Sequence, residues 1–130
     1  MNEVYEFLKK CETYYLATVD GDRPRIRPFG TIHIFENKLY FQTGKKKDVS
    51  RQIAKNPHIE ICGMCDGKWM RLEAIAMEDD SIAARKSLLD AYPMLQTMYK
   101  PDDGNTQVFY LKNVTATINS FSEAPKVIRF

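Results

Sequence analysis

The chain has 130 residues, 44% of them hydrophobic and 28% charged, enough apolar material for the core of one folded domain (1–130) but too little chain for two. No stretch approaches the roughly 18 apolar residues that a membrane span needs, and Met1-Asn2-Glu3-Val4 does not begin an export signal. The net charge of +2 argues against a dedicated nucleic-acid binder, yet residues 23–55 hold nine basic against two acidic side chains, a local +7, and the remainder is −5.

In chain order, Val4, Phe7, Leu8 and Cys11 mark a short amphipathic helix with Asn2 as its expected N-cap. Tyr14 to Val19 reads as a strand ending in the hairpin signal Asp20-Gly21-Asp22. Arg25 to Phe35 reads as one long second strand, separated from Leu39–Thr43 by the turn-like Glu36-Asn37-Lys38. Val49, Ile53 and Asn56 share a helical face that Pro57 terminates. His58–Cys65 and Lys68–Met77 form a hairpin around Asp66-Gly67. Asp79-Asp80-Ser81 caps a helix running to about Tyr92, and Pro93 opens a second helical turn with Met94, Leu95 and Met98 as its buried side. A last strand, Val108–Ser120, is broken near Lys112-Asn113. About six antiparallel strands with peripheral helices predict a mainly β fold, a small barrel.

Cys11, Cys62 and Cys65 are too few and too scattered for a disulfide framework, and with no export signal they fit a reducing cytoplasm. The Cys62–Cys65 spacing invites a metal or dithiol reading, but it ends a strand and not a loop entering a helix. Small, apolar packing roles are expected instead.

The cationic island contains one arrangement with chemical content. Arg25, Arg27 and Phe29 share one face of a strand, the arginines about 6.6 Å apart. Pro28 among them belongs at an edge or irregular position. Thr43-Gly44 then leads through Lys45-Lys46-Lys47 into the helix start at Asp48-Val49, where free backbone N–H groups and the helix dipole suit an anion. No G-x-x-x-x-G-K-[ST] string is present, so this is not a P-loop. A phosphate ester is the expected ligand.

Four stretches in register resemble the pyridoxamine 5′-phosphate oxidase-like FMN-binding split-barrel family, particularly its short stand-alone flavoproteins. They are Tyr15–Gly21, Pro24–Gly30, Lys38–Gly44 and Ile53–Pro57, within a likeness that spans residues 3–121. The resemblance implies a homodimer with FMN at the subunit interface. It implies that Arg27, beside Arg25, meets the FMN phosphate, that Pro28 and Phe29 run along the flavin ring, and that Thr43 lies at the ribityl-phosphate end. Lys46 and Lys47 fall where the family places its second cationic phosphate contact, although its Ser-Arg-Lys arrangement is replaced here by Lys45-Lys46-Lys47-Asp48.

The family's vitamin-forming oxidases carry a C-terminal substrate-gripping segment that Val127-Ile128-Arg129-Phe130 does not resemble. The resemblance therefore fits a flavin reductase, the nitroimidazole-reductase-like branch included, and the expected activity is an NAD(P)H-linked oxidoreductase with an unknown small acceptor and hydride passing through flavin N5. Non-enzymatic binding of flavin or haem, or use of the deazaflavin F420, is the alternative. Nucleic-acid binding through the basic strand with Phe29, Tyr40 and Phe41 is opposed by the near-neutral total charge and the lack of any such motif. His33 is expected as a polar-face strand residue and Trp69 as a packing or dimer residue. Tyr99, beside Lys100-Pro101, has a weaker claim to line the substrate mouth.

Overall fold

The computed structural model describes residues 1–130. Helix α1 (Asn2–Cys11) leads into β1 (Tyr14–Asp20), β2 (Arg23–Phe29), β3 (His33–Phe35) and β4 (Lys38–Gly44). Helix α2 (Asp48–Lys55), β5 (His58–Cys65) and β6 (Lys68–Glu78) follow. The chain continues through α3 (Ile82–Ala91), a 3-10 helix (Pro93–Thr97), β7 (Thr106–Ser120) and β8 (Lys126–Arg129).

All pairings are antiparallel, in the order β2-β1-β5-β6-β7-β4-β3. One edge of β7 is shared: Thr106–Tyr110 pairs with β4, and Thr115–Ile118 pairs with β8. The two outermost strands of this path, β2 and β3, are joined only by Gly30-Thr31-Ile32. A flat sheet would hold them about 29 Å apart at ~4.8 Å per strand, whereas this link spans at most about 14 Å. The sheet must therefore curl until its edges meet, and the expected split barrel is the result.

This closure corrects the reading of Arg25–Phe35 as one strand. The segment is broken at Gly30–Ile32 because the chain there crosses from one sheet edge to the other. The link is held from three sides. Tyr14 Oη donates to Thr31 O (2.6 Å), Thr31 Oγ1 accepts from Gln42 N (2.9 Å), and Tyr92 Oη both accepts from Ile32 N and donates to Ile32 O (2.8 Å each).

Local chemistry accounts for the hairpins. Asp66 and Gly67 take positive φ (54° and 73°), as do Glu36 and Asn37 (46° and 63°), the backbone that two-residue turns require. The predicted break in β7 is a bulge inside a continuous strand: Asn113 has φ 54°, and the β6 register shifts between Glu73 and Ile75. Ser81 caps α3 by accepting from Ala84 N (3.2 Å).

Three other expectations are corrected. Asn2 is the first residue of α1 and not its cap, which is Met1 without a side-chain bond. The Pro93 segment is a 3-10 helix with no buried residue, and Met94 and Met98 are exposed because its three-residue turn does not build the α-helical stripe. Strand β8 was not anticipated, since Lys126–Arg129 alternates too briefly to give a signal.

The main core holds 19 buried residues inside the barrel, among them Leu16, Phe41, Ile61, Leu72 and Phe109. Helix α2 contributes Val49 and Ile53, and α1 contributes Val4 and Leu8. Helix α3 packs outside, where Ala84 and Leu88 meet Tyr40 and Val108. Helix α1 approaches β5 closely over Gly63, where an added Cβ would lie 3.0 Å from Cys11 Sγ and 3.4 Å from Leu8 Cδ2.

The segment before β7 is organised by Asp103. Its carboxylate accepts from Lys100 N, Asn105 N, Thr106 N and Thr106 Oγ1 at 2.7–3.0 Å. Desolvation opposes the charge of this exposed carboxyl, but the backbone N–H groups of Thr106, Lys100 and Asn105 outweigh it and hold the pKa well below the usual range.

Two predictions follow from the packing and from this loop. Gly63→Ala should lower stability by about 1–3 kcal/mol through overpacking, read from the urea midpoint, and adding Cys11→Ala should restore part of the loss. A folded-state pKa below the unfolded value means that Asp103 contributes stability fully above about pH 4, lost as pH falls through the folded value. Asp103→Asn should therefore cost about 1 kcal/mol at pH 7, allowing for solvent screening, and should flatten the loss of stability between pH 5 and pH 2.

Candidate functional site

A cleft of about 1220 Å³ lies between β2 and α2. Arg25 to Phe29 form one wall; Lys47, Asp48, Val49, Arg51, Gln52 and Ala54–Asn56 form the other, with Val19–Gly21 at one side. Strand alternation sends Arg25 and Arg27 to the barrel side of β2, where they face the cleft beside α2, a helix that itself packs against β1 and β4. The wall holds five cations, Arg25, Arg27, Lys47, Arg51 and Lys55, against the carboxylates of Asp20 and Asp48.

Two of these cations are committed on the surface: Arg25 Nε sits 3.3 Å from Asp20 Oδ2, and Arg51 pairs with Asp48. Arg27 is held differently. Its Nη1 donates to Leu16 O (3.2 Å) and Thr18 Oγ1 (2.9 Å), and its Nη2 donates to Gln52 Oε1 (2.6 Å). Thr18 Oγ1 in turn donates to Gln52 Oε1 (2.5 Å). This knot ties α2 to the edge of the barrel and fixes the guanidinium plane. Of the five guanidinium N–H groups it leaves two without a protein partner. Burial first, and then neighbouring Arg25, press the Arg27 pKa below its usual value, so an anion at this place relieves both costs.

The start of α2 completes the anionic end. Its N-cap residue, Lys47, makes no side-chain cap bond, so the first-turn N–H groups have no side-chain acceptor, and Asp48 and Val49 of that turn line the cleft. The donor set is thus an arginine fork, a lysine and a helix N-terminus, the chemistry that suits a phosphate monoester.

Of the expected cofactor residues, Arg25, Arg27, Pro28, Phe29, Lys47, Asp48 and Val49 line the cleft, and Thr43 and Lys46 do not. Lys46 is solvent-exposed and reaches the site only through the turn it belongs to. Thr43 is 3% exposed on β4 opposite Gln107 of β7, itself 7% exposed. Thr43 Oγ1 and Gln107 Oε1 are both buried without a hydrogen-bond partner, which makes this pair a polar notch in the barrel wall. The Phe29 ring turns inward onto Tyr14 and Phe41, at centroid distances of 6.2 and 5.5 Å.

Gln52 is the site residue that sequence reasoning missed. Its spacing of three from Val49 placed it beside the buried stripe of α2, but nothing local could pair it with Arg27, 25 residues away. The residues set aside have other partners. His33 Nε2 lies 2.8 Å from Ser87 Oγ, and burial together with Lys9 lowers its pKa. Trp69 packs on Phe121 at 5.1 Å, and Tyr99 lies over Gly44, outside the cleft wall. Cys62 and Cys65, three apart on β5, face opposite sides of the sheet, which removes the dithiol geometry. Burial, followed by the Cys65 and Cys62 thiols, pushes the Cys11 thiol up to about 11.

Comparison with known proteins gives a consistent result. A family model described as pyridoxamine 5′-phosphate oxidase matches residues 1–117. A NimC/NimA family protein from Clostridium acetobutylicum is 38% identical, over 100% of this chain and 92% of that one, with a TM-score of 0.97. Two more distant structures share the fold. A pyridoxamine 5′-phosphate oxidase-related, FMN-binding protein of Nostoc punctiforme has a TM-score of 0.65 at 16% identity, over 99% of this chain and 95% of that one. A haem-binding protein of Mycobacterium smegmatis has a TM-score of 0.73 at 13% identity, over 98% of this chain and 56% of that one. No curated protein sequence matches. No helix is long and apolar enough to cross a membrane. With a barrel closed around Gly30–Ile32, a phosphate-suited cleft at its split edge and a family match over residues 1–117, the chain belongs to the pyridoxamine 5′-phosphate oxidase-like family.

Proposed function

We propose that the cleft binds FMN through its phosphate, and that the protein is an NAD(P)H-linked oxidoreductase acting on a small acceptor. The observation that carries this reading is that Arg27, with two unspent N–H groups, and the uncapped start of α2 line the same cleft. Those donors fit a phosphate dianion in number and charge. Likeness to the FMN-binding Nostoc protein supports the choice of flavin.

Bound FMN would supply the hydride chemistry at its N5 atom. The chain's own part is to bind and orient. Arg27 and Lys47 neutralise phosphate, Gln52 and Thr18 hold the Arg27 fork at a fixed angle, and the exposed apolar edge of β2 offers a surface for the ring. No side chain of the cleft wall is needed as a nucleophile in such a reaction.

The same reading includes a homodimer with the cofactor at the subunit interface. Tyr15, Ala17 and Val19 of β1, Pro24, Ile26 and Pro28 of β2 and Met64 of β5 share the outer sheet face by register, an apolar group interrupted by Glu60 opposite Ala17. Ile26 and Met64 are 68% and 69% exposed. Val19, Ile26 and Pro28 also line the cleft, so this apolar face runs into the candidate site.

Three measurements test this reading. Purified protein should release FMN, identified by absorbance and mass. A colourless protein that takes up no added FMN overturns the proposal, and haem or a deazaflavin in its place redirects it. Arg27→Ala should weaken FMN binding by about 1.5–3 kcal/mol and riboflavin binding much less, by fluorescence titration. Ile26→Asp should convert a dimer into monomers in sedimentation analysis, and loss of bound flavin should accompany the dissociation.

A further inference from the structure

The turn that delivers Lys47 to the cleft is moulded by residues that never touch it. The β4–β7 ladder ends at the pair Gly44 and Thr106. Beyond it, Lys45 N donates to Asn105 O (2.8 Å) and Lys46 N donates to Asn105 Oδ1 (3.3 Å). Lys47 N then closes on Gly44 O (3.1 Å), and Ser50 N bonds Lys47 O (3.1 Å) to begin α2. One asparagine thus extends the strand pairing by two acceptors, first its backbone oxygen and then its side-chain oxygen.

Asn105 is itself positioned. Asp103 Oδ1 accepts from Asn105 N (2.8 Å) and Thr106 N (2.7 Å), and Asp103 Oδ2 accepts from Lys100 N (2.9 Å). Gly44 completes the fit. A Cβ there would lie 3.2 Å from Asn105 Nδ2, 3.3 Å from Asn105 Oδ1 and 3.3 Å from Tyr99 Cε1, so the asparagine side chain and the tyrosine ring occupy the space that any other residue would fill. Neither Asn105 nor Asp103 lines the cleft.

We propose that Asn105, held by Asp103 and seated on Gly44, is a positioning residue for anion binding. It sets the course of the Lys45–Lys47 turn and so aims Lys47 and the first N–H groups of α2 at one point in the cleft. The proposal rests on the reading that an anion occupies the α2 end of the cleft, but it does not require that anion to be FMN. Preorganised donors bind an anion with less ordering cost than donors on a loose turn, so the loss should appear in anion affinity although no ligand contact is removed.

The test compares wild type with Asn105→Ala and, as a second variant, Gly44→Ala, whose methyl group displaces the same asparagine. Inorganic phosphate is titrated while the amide resonances of Asp48 and Val49 are followed by NMR. In parallel, FMN and riboflavin are titrated by fluorescence, and folding is checked by thermal melting. Both variants should bind phosphate and FMN at least fivefold more weakly and riboflavin unchanged. Equal loss for FMN and riboflavin would show a general structural defect and overturn the proposal, as would unchanged phosphate affinity. Wild-type Asp48 and Val49 amides that ignore phosphate would also overturn it. Phosphate binding that weakens as expected in a protein that takes up no FMN would sustain the positioning role and reject only the FMN reading.

Discussion

The structure depends on the short link Gly30-Thr31-Ile32. Because three residues join the two edges of a seven-strand path, the sheet has to roll up, and everything else follows from that curl. It creates the interior that Leu16, Phe41, Ile61, Leu72 and Phe109 fill. It also creates a seam, and polar groups tie that seam shut. Tyr14, Gln42 and Tyr92, from β1, β4 and the end of α3, satisfy the backbone or hydroxyl of the link, so its buried polar groups keep their hydrogen bonds.

The same seam makes the cleft. A fully paired strand would have neighbours on both edges, but β2 pairs only with β1, and the cleft separates it from α2. Arg25 and Arg27 point into the space so formed. Arg27 would be an isolated charge there without Thr18, Gln52 and Leu16 O, which stabilise it in orientation while leaving part of its donor capacity open. The open donor capacity at this place is therefore a by-product of how the barrel closes: the guanidinium that ties α2 to β1 keeps two N–H groups free.

Short-range chemistry was legible in the residues themselves. The Asp66-Gly67 turn, the Pro57 stop, the Ser81 cap and the alternation of β1, β5 and β6 stand where local rules put them, because each depends on neighbours a few residues away. The cationic island was legible as a count, and the likeness to a known family gave the fold. Features that depend on distant partners were not legible. Strand β8 pairs with β7 but carries too few residues to announce itself, and the Met94–Met98 stripe stays exposed because its turn is 3-10. Gln52 and Asn105 look like ordinary polar residues until Arg27 and the Lys45–Lys46 backbone are brought beside them.

The sequence by itself therefore determined the inventory: alternating strands, a helix entered through three lysines, two arginines on one strand face, and a +7 island inside an otherwise acidic chain. Only the tertiary structure decided which members of that island act together. It brought Arg27 and Lys47 to one cleft, kept Lys46 outside it, and sealed Thr43 into the barrel wall against Gln107. The reason is physical. Period-two alternation assigns a side chain to a face of its strand, but which face becomes a cleft depends on where the sheet closes, and closure is set by pairings between residues far apart in the chain.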